Sequence, residues 1–247
     1  MTILSIDLAY KRYADLGVVA ISHGGKGFRC ELLTSPELSC QPEPQRLAAW
    51  ALGLAESIKA SCIMLDGPQA WKDPDNGLLH SRICERELNA PAKTGLPGCV
   101  KPGNYLSFVE FSIQVFSWLD RFGWPRLVTY SQAEDAELSL PCVIESLPLA
   151  AWRALGLPIL PAKRKARRED IADRLIRLQD IYPLDLTRES VSHDQLQALV
   201  SGLGAADYVF GDRRRTAVAG IPPKDVEAIT REGYILNPSR QTSVQLQ

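Results

Sequence analysis

With 247 residues the chain is long enough to bury a substantial core as one α/β domain, and Lys and Arg so nearly balance Asp and Glu (formal charge -1) that bulk electrostatics neither require nor exclude a polyanionic partner. The cysteines Cys30, Cys40, Cys62, Cys84, Cys99 and Cys142 form no CxxC pair and no Cys/His cluster, which argues against structural zinc and a disulfide framework. No long apolar signal region opens the sequence and no stretch has the length of a membrane span, so it reads as a cytoplasmic protein without a membrane partner.

Apolar segments at 2–7, 16–22 and 27–33, separated by "AYKRYAD" and "HGGKG", predict a three-stranded antiparallel meander, with Gly24 and Gly25 suited to the tight connection. Pro42, Glu43 and Pro44 then open a helix through "QRLAAWALGLAESIKA", with Leu47, Trp50, Leu54 and Ile58 on one face. "SCIMLDGP" scarcely alternates, as expected of a strand buried on both faces in a parallel arrangement, and Asp66 closes it before a Gly-Pro break. Residues 67–105 change to Pro, Gly, Asn and charge, an insert of functional length with a short helix around 79–88. A helix over 108–122 follows, carrying Phe111, Val115, Trp118 and Leu119 on one face.

"PRLVTY" reads as a short strand or an extended connection, and "PCVIESLP" as a strand ending at Glu145. Beyond it lie "LAAWRALG", the basic run "KRKARRED", an amphipathic helix through "IADRLIRLQDIY" and a second helix, "HDQLQALVSGLGAADY". The last part, with Pro222, Pro223 and "REGYILNPS", predicts a short helix, a closing strand and a frayed tail over about 239–247.

Asp7, Asp66 and Glu145 share one setting, the C-terminal end of a predicted strand. Each alone also suits a turn or capping acid. If the strands starting near residues 2, 61 and 141 are parallel neighbours, however, the three carboxylates converge on the sheet edge where ligand crevices form. Carboxylates that close raise one another's pKa unless a cation neutralises them, and hard oxygen ligands select magnesium or manganese. Such a set matches the two-metal chemistry of phosphodiester hydrolysis, with ions roughly 4 Å apart. His193 and Asp194 occupy the first turn of the last long helix, where Asp194 suits the helix dipole or a second metal and His193 suits a cap neighbour or an aid to water activation and product release.

The segments "IDLAY", "LDGPQAW", "ICERELNA", "VIESLPLAAWRALG", "LPAKRK" and "HDQLQALVSGLGAADYVFGD" with "GYILNP" resemble the domain-of-unknown-function family 429, described as predicted nucleases of ribonuclease-H type. The resemblance runs from Ile3 to about Pro238. It implies an α/β, ribonuclease-H-like fold: a mixed five-stranded sheet flanked by helices, with an insert after the fourth strand and a helical C-terminal extension, all in one domain. Asp7 matches the family's first-strand aspartate, Asp66 its fourth-strand acid and Glu145 the glutamate before "SLP". Family members tend to carry an aspartate one turn after the histidine-aspartate pair, where this chain has Gln197, so either Asp194 serves from one turn earlier or the second-metal site is weakened.

Among the cations, Lys163, Arg164 and Lys165 suit nucleic-acid phosphates or a solvated helix start. Arg82 suits a phosphate clamp or an ion pair within its helix to Glu85 or Glu87. Trp71 and Tyr105 frame the insert and suit stacking on bases or, more often, anchoring of the loop to the core, the tryptophans Trp50, Trp118, Trp124 and Trp152 read as packing, and neither His23 nor His80 has a metal-spaced partner. The expected function is magnesium- or manganese-dependent hydrolysis of RNA, DNA or a hybrid, with Asp7 bridging two ions, Asp66 and Glu145 holding one each, and Asp194 completing the second. The rival readings are a non-catalytic nucleic-acid or protein-binding module and an actin-like ATPase or kinase. The latter needs a glycine-rich phosphate hairpin that "DLAYKR" lacks.

Overall fold

The computed structural model describes residues 1–25, 27–37, 40–133, 139–188 and 190–240. Apolar runs rich in β-branched residues pair as expected at the start: β1 (Thr2–Asp7), β2 (Gly17–His23) and β3 (Phe28–Leu32) form an antiparallel meander. Helix α1 (Pro44–Ser57) begins on a proline, whose missing N–H is one the first turn leaves unpaired anyway. β4 (Ala60–Asp66) returns parallel to β1, as its unalternating apolar run predicts.

The insert holds α2 (Ile83–Glu87) and a small hairpin of β5 (Lys93–Thr94) and β6 (Val100–Lys101), and it leads into α3 (Leu106–Arg121). Then come β7 (Cys142–Ser146), α4 (Pro148–Ala154), α5 (Arg168–Gln179), β8 (Leu184–Leu186) and α6 (His193–Val209). The chain closes with β9 (Thr216–Ala219), β10 (Lys224–Val226), β11 (Ile229–Arg231) and β12 (Ile235–Pro238).

The mixed sheet runs β8-β3-β2-β1-β4-β7-β12-β9, with β1, β4, β7 and β12 parallel neighbours and helices on both faces. It therefore has eight strands among the described residues where five were expected. β8, β9 and β12 are three or four residues long, too short for an alternating pattern to show in the sequence. "PRLVTY" joins the sheet only through a bridge from Arg126 to Val143. The expected helix near the end is instead the β10–β11 hairpin: Pro222 and Pro223 offer no helical donors, and Glu227 and Ala228 take φ of 53° and 59°, as a two-residue hairpin turn requires. The expected frayed tail lies, from residue 241 on, outside the described residues.

Side-chain alternation along the central strands splits the core in two. Ile3, Cys62, Met64 and Ile144 face Leu196, Leu199 and Leu203 of α6 and Trp152 of α4. Leu4, Ile6, Ile63, Leu65 and Val143 face Leu47 and Ala51 of α1 and Phe111, Val115 and Leu119 of α3. The sheet is thus pinned from both sides, and the ends of its parallel strands are held at one edge. No helix among the described residues is long and apolar enough to cross a membrane.

Candidate functional site

Parallel pairing sets Asp7 of β1 directly beside Asp66 of β4, and antiparallel pairing sets Gly17 of β2 on the other side of Asp7. Residues in register across a sheet project to the same face, so the two carboxyls are forced together at the strand ends. The chain leaves β4 at Gly67, whose φ of +139° and whose Cβ position 2.5 Å from Ser112 Oγ admit only glycine without strain. Burial pushes both acids up. Asp7 sits well above the usual carboxylate range, raised next by its neighbour Asp66 and then by Asp194, with Lys163 opposing. Asp66 is raised to about 7 by burial; its hydrogen bond with Asp7 pulls it down and the charge of Glu145 pushes it up.

A third acid arrives from α6. Ser192 caps the helix, its hydroxyl accepting from Gln195 N at 3.1 Å while Gln195 Oε1 accepts from Ser192 N at 3.1 Å. This capping box places His193 and Asp194 in the first turn. Because Gly17 has no side chain, that turn lies almost against β2: a Cβ on Gly17 would stand 2.0 Å from the Asp194 carbonyl oxygen. Asp194 thereby lines the same groove as Asp7 and Asp66. Its carboxylate is engaged by Lys163 Nζ, which also donates to Asp15 Oδ1 at 2.8 Å, and lies 3.1 Å from His193 Nδ1. The other ring nitrogen of His193 lies 2.9 Å from the Pro161 carbonyl. Burial pulls the Lys163 ammonium down, but its two carboxylate partners outweigh that and leave it raised. Asp15 is held at about 2 by hydrogen bonds from Arg12 and Lys163.

Glu145 takes a different place. β7 is indeed the parallel neighbour of β4, yet the register puts Ser146, not Glu145, beside Asp66; Glu145 pairs with Leu65 and so projects to the opposite face. There Arg82 clamps it in a bidentate pair, Nη1 to Oε2 at 2.7 Å and Nη2 to Oε1 at 2.6 Å, and Gln69 N donates to Oε2 at 2.9 Å. Burial raises Glu145, opposed by Arg82 and the Gln69 amide. Arg82, expected to meet a phosphate or a glutamate within its helix, is only 1% exposed; its Nε donates to Glu85 at 3.1 Å, so it is shared between two buried glutamates and away from solvent. Gln197 accepts from the Trp152 indole at 2.8 Å.

Around Asp7, Asp66 and Asp194 the groove encloses about 980 Å³ and is lined also by Lys11, Arg12, Lys163 and Arg164 and by Asn104, Tyr105 and Phe108. Lys165 does not line it. Sequence reasoning missed Lys11, Arg12 and Asp15, although the "YKRYAD" turn directly after a strand-end aspartate was the available signal. It also missed Ser146, whose position depends on register alone.

The donor set suits a hard cation in part. Asp7 and Asp66 are paired carboxyls, both raised by burial and bonded to no lysine or arginine among the described residues, which is the ligand count magnesium takes while keeping waters and phosphate oxygens. Asp194 is already neutralised by Lys163. No group of three or more His, Cys, Asp or Glu among the described residues stands arranged around one metal position.

The chain is similar in structure to RuvC of Thermus thermophilus, at 16% identity and a TM-score of 0.43 over 86% of this chain and 98% of that one. It is also similar to RuvC of Thermus thermophilus in complex with Holliday junction substrate, at 15% identity and a TM-score of 0.40 over 86% and 97%. No family model matches the chain, so the resemblance to family 429 gains no support there, and no curated protein matches it.

Proposed function

We propose that the protein hydrolyses phosphodiester bonds in nucleic acid with magnesium or manganese held between Asp7 and Asp66. The observation that carries this reading is the in-register pair of partly buried carboxyls, both raised by burial and Asp7 also by the charge of Asp66, in a groove that basic side chains line. A divalent ion there supplies charge neutralisation at a phosphodiester and a more acidic water. Asp7 and Asp66 would hold it, and Lys11 and Arg164, which line the same groove, would hold the flanking phosphates.

Asp194 would serve as a further ligand if Lys163 turned to a phosphate, and His193, whose ring nitrogens meet Asp194 and the Pro161 carbonyl, would pass a proton at Nδ1. Glu145 is a positioning residue here. Through Arg82 and the Gln69 amide it anchors the start of the insert beside Asp66, and its charge helps to keep Asp66 raised.

Calorimetric titration of the metal-free protein with manganese, alongside a panel of single-stranded, duplex, hybrid and branched oligonucleotides, tests this. Saturable binding and metal-dependent cleavage are expected, both lost in Asp7→Asn. Manganese binding unaltered by Asp7→Asn overturns the site. Steeply salt-dependent oligonucleotide binding without cleavage favours the non-catalytic module, a reading that the capture of Glu145 by Arg82 recommends.

A further inference from the structure

Beside the groove lies a second, smaller cavity of about 160 Å³ that shares Asp66, Tyr105 and Phe108 with it. Its walls are otherwise largely apolar, including Ala92, Val109 and Leu147, and its floor is the Arg82, Glu85 and Glu145 cluster. One guanidinium faces two carboxylates at that floor, with Lys93 Nζ 3.0 Å from the Glu85 carbonyl, and the acceptor oxygens there favour a neutral ligand with N–H donors over a phosphate. Two polar atoms have capacity left. Ser146 lines the cavity, is 1% exposed, and its Oγ has no hydrogen-bond partner among the described residues. Glu145 Oε1 accepts a single bond, from Arg82, where a carboxylate oxygen has room for two.

An apolar slot of this size, bordered by two aromatic side chains and lined also by the buried Ser146 and Glu145, has features by which a base removed from its stack is read. We propose that this cavity binds one nucleobase of the nucleic-acid strand in the groove, that of a nucleotide next to the phosphate at Asp7 and Asp66, and that it prefers a base with an exocyclic amino group. Tyr105 and Phe108 border both spaces and so flank the path of the base from groove to slot. The proposal rests on the phosphodiesterase reading for the strand's position, and adds a selectivity which that reading does not require.

Two measurements separate the two ideas. In calcium buffer, anisotropy compares binding of single-stranded oligonucleotides that are intact or carry one abasic site at successive positions; in manganese buffer, cleavage of the same series gives kcat/KM. Expected is a loss of about tenfold when one particular base is removed and less than twofold at other positions, the size of losing one stacked base. Ala92→Leu, which fills the slot from a half-buried wall position, is expected to erase that contrast while leaving manganese binding unchanged. Ser146→Ala, which removes a hydroxyl and leaves the packing, is expected to reduce the preference for adenine or cytosine over thymine. Equal losses at every position, or a contrast that survives both substitutions, overturns the base pocket. A base contrast in calcium that Ala92→Leu abolishes, without cleavage in manganese, overturns the phosphodiesterase reading and leaves the pocket standing. Cleavage with no contrast does the reverse. Adenosine alone binding as tightly as the oligonucleotide overturns the strand-borne occupant in favour of a free nucleoside.

Discussion

Replacing Asp66 by asparagine should stabilise the metal-free protein at alkaline pH, the opposite of what removing a useful polar contact does. Asp66 titrates at about 7 when folded, against about 3.9 for an aspartate in an unfolded chain. The folded state therefore holds its proton more tightly, and the stability this contributes is complete below about pH 4 and is lost as pH rises through 7. At about 1.4 kcal/mol per pH unit the loss approaches 4 kcal/mol, and about half of that is the expected reading because both side chains are partly open to the groove. An asparagine at this position cannot ionise, so wild type and Asp66→Asn should have similar stability near pH 4, and the variant should lead by about 2 kcal/mol at pH 8.

Urea denaturation in chelator at the two pH values gives the numbers. The difference between variant and wild type is the informative quantity, since Asp207, buried against Tyr182, is also raised to about 7 and contributes to both curves. Manganese at pH 8 should restore the wild type and leave Asp66→Asn nearly unmoved, because a ligand stabilises only the state that binds it. An Asp66→Asn protein less stable than wild type at pH 8 refutes the premise that burial makes the ionised Asp66 costly to the fold.

Two further substitutions probe how the site is held. Arg82→Met strands Glu145 and Glu85 without their cation, and a loss of about 3–5 kcal/mol in urea denaturation is expected, partly recovered by adding Glu145→Gln; a loss under about 1 kcal/mol would show the cluster to be dispensable. Gly17→Ala puts a methyl group where the Asp194 carbonyl now lies, so α6 must shift, at a cost of about 1–3 kcal/mol. Weakened manganese binding at pH values where Gly17→Ala is still folded is expected, and affinity equal to wild type would place Asp194 outside the metal site.

What could be read locally was read well. The opening meander, the parallel fourth strand and the first-turn position of Asp194 follow from apolar runs, a Gly-Pro break and the "SHDQ" cap, each a pattern that a few neighbouring residues determine on their own. The short strands β8, β9 and β12 were missed because three or four residues carry no period, and they form only because the sheet already offers an edge. Likewise the polar side chain of Gln197 gave no hint that a tryptophan 45 residues earlier would take its oxygen.

The sequence by itself determined that acids stand at the ends of three buried strands. Only the tertiary structure decided which of them meet. Side chains alternate across a sheet, so one residue of register sends Glu145 to the far face while Asp7 and Asp66 stay side by side. The arginine that claims Glu145 lies 63 residues away, and the glycine that lets α6 bring Asp194 close lies on another strand. Contacts between distant segments depend on packing, which no short window of the chain encodes.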